Sequence, residues 1–378
     1  MTKKILIAPN SYKECADSIT AADFFSKYLK IDENYIIVKR PVSDGGDGFL
    51  KVCQNRFNLK ILKYQITTPY DNSTFSCSIG YSETGKQIFI ESAEVLGLKI
   101  IPKEKRHPIS LSSIGMGELI KLIMKDVETG KIEVEKIIIG IGGTGTNDLG
   151  VGMLSVFGWK FYDIAGKPLA VIPQNFSYIK EINGSKIYIP FKIEAVVDVI
   201  NPLLGPNGAT NVFGLQKGCS NKEIKIIESG FEKILNIIYN NKLTASYKVL
   251  SGAGGGLAAG LVLFFGARIK TASDFIINDL GTGILREQIN FLITGEGSFD
   301  KQSLMRKGTG ILIDLFEDYA EKIFLCCGKI DESIKGKLAS NVIPIELTKY
   351  FNNDEESLNN FEKGIELAGK EIIDILRL

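Results

Sequence analysis

The chain has 378 residues, enough for two domains, and its 44% hydrophobic and 24% charged content is that of a globular protein. A formal net charge of +1, with lysines and arginines scattered along the chain, argues against nucleic acid or a strongly acidic partner. No apolar run reaches the roughly 18 residues of a membrane span, the N-terminus has no signal-peptide core, and the six cysteines form no CxxC pair, so a cytoplasmic protein with reduced cysteines is expected.

The chain opens with a short buried strand, residues 4–9, followed by a loop exposing Ser11 and Lys13. Residues 18–30 carry Ile19, Ala22, Phe25 and Leu29 at helical spacing, with Asp17 or Ser18 as cap. A second strand at 35–38 runs into the acidic glycine turn PVSDGGDGF, and a helix to about Phe57 follows. This is the start of a parallel α/β sheet. The pattern then changes: residues 74–81 alternate apolar and polar, Glu83 to Lys86 turn, and 87–91 pair back as an antiparallel meander.

A helix over 115–126 precedes the β-branched run Ile137–Ile139, which opens into Gly140, Gly142, Gly143 and Gly145 with Thr144, Thr146, Asn147 and Asp148. Strand, glycine turn and possible helix start suit a phosphate cradle, because glycine lets backbone N–H groups approach an anion closely. Residues 195–200 read as a strand carrying Asp198, 222–240 as an amphipathic helix, and SGAGGGLAAGL at 251–261 as a second glycine cluster opening a helix. Strands at 291–294, 323–326 and 342–347 return the chain to α/β character, and Leu358, Phe361, Ile365, Ala368, Ile372 and Ile375 line one face of a last helix. The economical architecture is an α/β domain built from both chain ends, 1–62 and 286–378, with a mixed α/β domain, 63–285, inserted between them.

Four strand ends deliver an acidic or glycine-rich turn: DGGDG at 44–48, GGTGTND at 142–148, DVINPLLG at 198–205 and TGEGSFD at 294–300. In open α/β sheets ligands bind beyond the carboxyl ends of the strands. Glycine amides beside carboxylates suit Mg-nucleotide chemistry, with Lys13, Lys217 and Lys307 near enough in sequence to neutralise anions. Two other motifs compete. Residues 140–145 fit GxGxxG, with Asp163 as a ribose-binding acid, which would make a dinucleotide-dependent oxidoreductase. No GxxxxGK[ST] occurs, which argues against a Walker-type NTPase.

Taken together, IAPNSYKECADS, PVSDGGDG, ESAEVLGL, GIGGTGTNDLGVGML, DVINPLLGPNGATNVFGLQKG, GAGGGLAAGL and TGEGSFDKQS resemble the bacterial D-glycerate kinase family over almost the whole chain. The resemblance implies a flavodoxin-like domain from both termini, a second α/β domain, and a site in the cleft between them. It implies phosphorylation of D-glycerate, usually at the 2-hydroxyl, with ATP and Mg²⁺, by a monomer or homodimer.

Carried over by motif, Ser11, Lys13, Asp44, Thr144, Thr146, Asn147, Asp148, Asp198, Lys217, Glu296 and Asp300 are the site candidates. The expected roles give ATP phosphates to Ser11, Lys217 and the turn Gly142, Gly143, Thr144, Gly145, Thr146 and Asn147. Mg²⁺ falls to Asp198, Glu296 or Asp300, and Lys13 meets the glycerate carboxylate or the transferring phosphoryl group. Asp44 or Asp148 is the base for the hydroxyl. Asp198 and Asp148 are both expected to be needed for turnover.

Departures from the pattern are Asn10 for Asp, Glu14 for Gly, Asp47 for Glu, Leu149 for Gly, and Arg306-Lys307-Gly308-Thr309 where the family has GK-x-P. The 3-hydroxyl as acceptor, or another small hydroxy acid, stays open within the kinase reading. A glycerate-binding regulator without catalysis is the non-enzyme rival.

Overall fold

The computed structural model describes residues 2–71, 73–198, 201–239, 250–304 and 307–377. The chain forms two compact units, one of residues 1–56 with 271–378 and the other of residues 57–270.

The unit built from both ends holds a five-stranded, all-parallel sheet. Strand Lys3–Ile7 is its centre, paired with Tyr35–Lys39 on one side and Phe291–Thr294 on the other; Lys322–Cys327 and Val342–Glu346 continue outward. Counted along the unit the strand order is 2-1-3-4-5, the flavodoxin-like order, and its switch point lies between Lys3–Ile7 and Phe291–Thr294. These strands are short apolar runs because both faces are covered. On one face Phe25 of helix Ser18–Tyr28 and Ile365 and Ile372 of helix Phe361–Leu376 pack against Ile7, Ile293 and Phe324.

Helix Ser18–Tyr28 starts where expected, with the Asp17 carboxylate accepting the Thr20 N–H at 2.8 Å. The C-terminal helix differs from expectation. It is split into Asp354–Asn359 and Phe361–Leu376, and Leu358 falls in the first piece, 44% exposed, outside the apolar stripe.

The second unit holds a six-stranded mixed sheet in the order Arg268–Thr271, Lys192–Val197, Lys136–Gly140, Gln87–Glu91, Thr74–Ser82, Lys60–Thr67. Lys192–Val197, Lys136–Gly140 and Gln87–Glu91 pair in parallel; the last three strands form the antiparallel meander. The core gathers Ile137 and Ile139 with Ile120 of helix Ile114–Glu128, Ile227 and Phe231 of helix Asn221–Ile238, and Leu257 of helix Leu257–Phe265. Helix Asn221–Ile238 begins on a reciprocal capping box between Ser220 and Glu223. Val199, Ile200 and Asn240, expected to end a strand and a helix, lie outside the described residues.

The units divide at 56/57 and 270/271, where sequence reasoning places boundaries at 62/63 and 285/286. Residues 60–62 belong to a strand paired with Thr74–Ser82. Residues 271–285 are held in the first unit: Arg40 and Arg56 both donate to the Leu280 carbonyl, and the Phe275 ring lies 5.1 Å from that of Phe49.

Candidate active site

In the inserted unit, strand Lys136–Gly140 is buried and delivers the glycine turn at its carboxyl end. The turn is clamped by the ESAEVLGL segment. Ser92 Oγ donates to the Gly142 carbonyl (3.1 Å), Gly145 N–H to Leu96 O (2.7 Å) and Leu98 N–H to Gly143 O (3.3 Å). The second glycine run packs from behind, with Gly254, Gly255 and Gly256 all at positive φ. A Cβ on Gly255 would stand 2.2 Å from the Thr146 carbonyl oxygen, so only glycine permits this approach.

Thr144, Thr146, Asn147 and Asp148 are all buried in the turn. Asn147 Oδ1 accepts from the Thr210 hydroxyl (3.2 Å), on the short helix Ala209–Phe213. The same segment returns Lys217 to the turn: its Nζ donates to Thr144 Oγ1 (3.3 Å) and to the Thr146 carbonyl (3.0 Å). Burial pushes the Lys217 ammonium down to about 8, against the opposing pull of Cys219 and Asp148. Among the described residues, the buried Thr146 hydroxyl has no hydrogen-bond partner. A cation, an unpaired hydroxyl and glycine amides at one strand end form a fit site for phosphate oxygens.

Asp148 is held by four hydrogen bonds. Its Oδ2 accepts from Ser113 N (2.7 Å), Ser113 Oγ (2.8 Å) and Gly152 N (3.3 Å), and its Oδ1 from Gly150 N (3.1 Å). These donors open helices Ile114–Glu128 and Val151–Val156, so Asp148 ties two helix starts together. Burial raises its carboxyl, and the four donors oppose the rise. Leu149, a departure from the pattern, adopts φ 57°, the left-handed backbone that glycine suits; Glu14 likewise adopts φ 68°.

Asp163 is a turn residue whose Oδ1 accepts from Ala165 N and Lys167 N, both at 2.9 Å. The helix after the glycine turn begins only at Val151, beyond the left-handed Gly150. Neither feature matches the dinucleotide fingerprint.

In the flavodoxin-like unit, the two strands at the switch point deliver Asn10 and Glu296. Asn10 N–H donates to Gly295 O, continuing the pairing of Lys3–Ile7 with Phe291–Thr294. The Asn10 side-chain amide donates to Asp44 Oδ2 (3.2 Å), and Asp44 Oδ1 accepts from Gly46 N (3.2 Å), which fixes the DGGDG turn. Glu296 Oε1 accepts from Ser303 Oγ (2.6 Å). Gly308 closes the group: a Cβ there would stand 2.7 Å from Asn10 Nδ2 and from Glu296 Oε2, and 3.5 Å from Asp44 Oδ2. Burial raises the Glu296 carboxyl to about 7; Asp44 and Asp300 push the same way, and Ser303 and the Thr309 N–H oppose them.

The remaining candidates are more peripheral. Asp300 caps the short helix Lys301–Leu304, its Oδ1 accepting from Gln302 N (2.7 Å) and Ser303 N (3.2 Å). Lys13 is exposed, and Ser11 is half-buried with its N–H on Asn10 Oδ1 (2.8 Å). Asp198 follows strand Lys192–Val197 in the inserted unit. Among the described residues no three His, Cys, Asp or Glu side chains converge to hold a metal ion. Lys307 donates to Gln302 (3.2 Å), and Arg306 lies outside the described residues.

Sequence reasoning gave no role to Ser92, Ser113, Thr210, Ser303 or Gly308. Ser92, Thr210 and Ser303 sit within quoted motifs, a usable signal. Ser113 meets Asp148 from 35 residues away, and no spacing rule shows that contact.

The profile described as Glycerate kinase family matches residues 5–377. The chain is 33% identical to a glycerate kinase of Haemophilus influenzae over 311 residues, 80% of each chain. It is 32% identical to a glycerate 2-kinase of Escherichia coli over 339 residues, 88% of this chain and 86% of that protein. The crystal structure of a putative glycerate kinase 2 from Salmonella typhimurium LT2 superposes with a TM-score of 0.77 at 27% identity, covering 99% of this chain and 98% of that one.

Proposed function

Because this chain belongs to the glycerate kinase family, and is a kinase, we propose that it transfers the γ-phosphoryl group of ATP to the 2-hydroxyl of D-glycerate, giving 2-phosphoglycerate and ADP. The observation that carries the ATP assignment is the glycine turn at 140–147. There the Lys217 ammonium bonds two uncharged oxygens and the Thr146 hydroxyl is left without a partner. Phosphate oxygens supply the missing acceptors, and the cation neutralises their charge.

The acidic turns of the flavodoxin-like unit supply the acceptor chemistry. Asp44 takes the proton as the hydroxyl oxygen attacks the γ-phosphorus and the bond to the β-phosphate oxygen breaks. Asp148 is left as a positioning residue, because four donors already fill its oxygens. Glu296 is an oxygen ligand suited to Mg²⁺, which takes one or two carboxylates together with phosphate oxygens and water. Bound there, Mg²⁺ would neutralise phosphate charge.

The test is ADP release from ATP and Mg²⁺ with and without D-glycerate. D-glycerate-dependent release is expected. Absence of release with D-glycerate, or equal release without it, overturns the proposal.

A further inference from the structure

Ser303 belongs to the flavodoxin-like unit, on the short helix Lys301–Leu304, and is buried. Its Oγ donates to Glu296 Oε1 at 2.6 Å, within the range of a hydroxyl bonded to a carboxylate. Ser303 is itself held in place. The Asp300 N–H donates to Ser303 Oγ (3.4 Å), and Asp300 Oδ1 accepts from Ser303 N (3.2 Å). Gly310, in helix Thr309–Phe316, presses on the Ser303 carbonyl, where a Cβ would stand 1.8 Å from the oxygen.

Glu296 receives a further donor, the Thr309 N–H, yet stays half-buried rather than enclosed. A carboxylate offers about four acceptor sites. Among the described residues Ser303 and Thr309 take two of them, and the others are left for a cation. A glutamate side chain also loses rotamer freedom when it is held in one geometry. A donor fixed from outside reduces what a metal must order, and such outer partners strengthen metal binding.

We propose that Ser303 is a positioning residue whose hydroxyl fixes the Glu296 carboxylate in the orientation that meets Mg²⁺. This rests on the reading of Glu296 as a Mg²⁺ ligand.

The experiment titrates Mn²⁺ alone, a paramagnetic substitute for Mg²⁺, into the full chain and reads free Mn²⁺ by electron paramagnetic resonance. Wild type is compared with Ser303→Ala, Glu296→Gln and the variant carrying both substitutions, and Tm is recorded for each. Glu296→Gln should weaken Mn²⁺ binding. Ser303→Ala should raise the Kd at least about tenfold, the scale of a lost outer-shell partner. The double variant should bind no more weakly than Glu296→Gln alone, because the serine acts through the glutamate. Weakened binding in Glu296→Gln with an unchanged Kd in Ser303→Ala overturns the proposal and leaves the Mg²⁺ reading standing. Losses that add in the double variant give Ser303 an effect independent of Glu296, which also overturns it. A Ser303→Ala chain that fails to fold assigns the hydroxyl to the fold, with the same consequence. No Mn²⁺ binding by wild type, or binding unchanged in Glu296→Gln, overturns the Mg²⁺ reading of Glu296 and the proposal with it.

Discussion

The residue that most clearly separates a phosphate cradle from a merely tight turn is Lys217. A steric explanation accounts for the glycines but not for an ammonium brought back 71 residues to the Thr146 carbonyl. Burial lowers the Lys217 ammonium to about 8, so it is charged below that pH and loses its charge as pH rises through it. Arginine stays protonated throughout this range. The kcat/KM for ATP, which reports groups of the free enzyme, should therefore fall above about pH 8 in wild type. Lys217→Arg should remove that alkaline limb, and Lys217→Met should lower kcat/KM about a hundredfold, the scale of one lost charge-stabilising contact. A pH–rate series on the three proteins checks this, and an alkaline limb that persists in Lys217→Arg assigns it to another group. Glu14 and Leu149 carry a different lesson. Both stand where the family pattern has glycine, and both adopt positive φ, the backbone region that glycine suits. That strain amounts to about 1–2 kcal/mol per residue; at Leu149 full burial of the side chain offsets it.

At the scale of elements, the decisive arrangement is two glycine segments pressed together. The run at 252–256 gives its backbone to the turn at 144–149, with Leu149 N–H donating to Gly255 O at 3.3 Å. Gly255→Ala adds a methyl 2.2 Å from the Thr146 carbonyl at φ 66°, and the turn must move. The expected loss is about 3 kcal/mol, near the upper end for a single strained core substitution, or roughly 6–12 °C in Tm for a unit of this size. Gly166→Ala, also at positive φ but with nothing within 4 Å, should lose no more than about 1–2 kcal/mol. Thermal unfolding of the two variants checks the contrast; equal losses would mean that the approach of the two segments is not close.

Much of this level was legible in advance. Apolar runs marked the strands, and glycine clusters marked their ends, because both follow from local chain chemistry. The role of Asp148 was not legible. A carboxylate in a glycine turn reads as a base, and no spacing shows that Ser113, at the start of a distant helix, donates to its oxygen. Leu358 was misplaced for a related reason: helical spacing ran through Asn359 and Asn360, where one helix ends and another begins. The cap that Asp300 Oδ1 forms on Gln302 N and Ser303 N was not legible either, because capping geometry depends on where the helix starts.

At the scale of the whole molecule, the two units each present groups at their own strand ends. The inserted unit presents cation, hydroxyls and amides; the flavodoxin-like unit presents carboxylates at its switch point, where open α/β sheets bind ligands. Among the described residues, no helix is long and apolar enough to cross a membrane. The identity of the product is the most direct test of the proposed reaction. After reaction of ATP and Mg²⁺ with D-glycerate, phosphorus–proton NMR of the product should show phosphorus coupled to the single proton at C2. Coupling to the two C3 protons would contradict the 2-hydroxyl assignment while keeping the kinase, and a solution holding only unreacted glycerate and ATP would contradict the account as a whole.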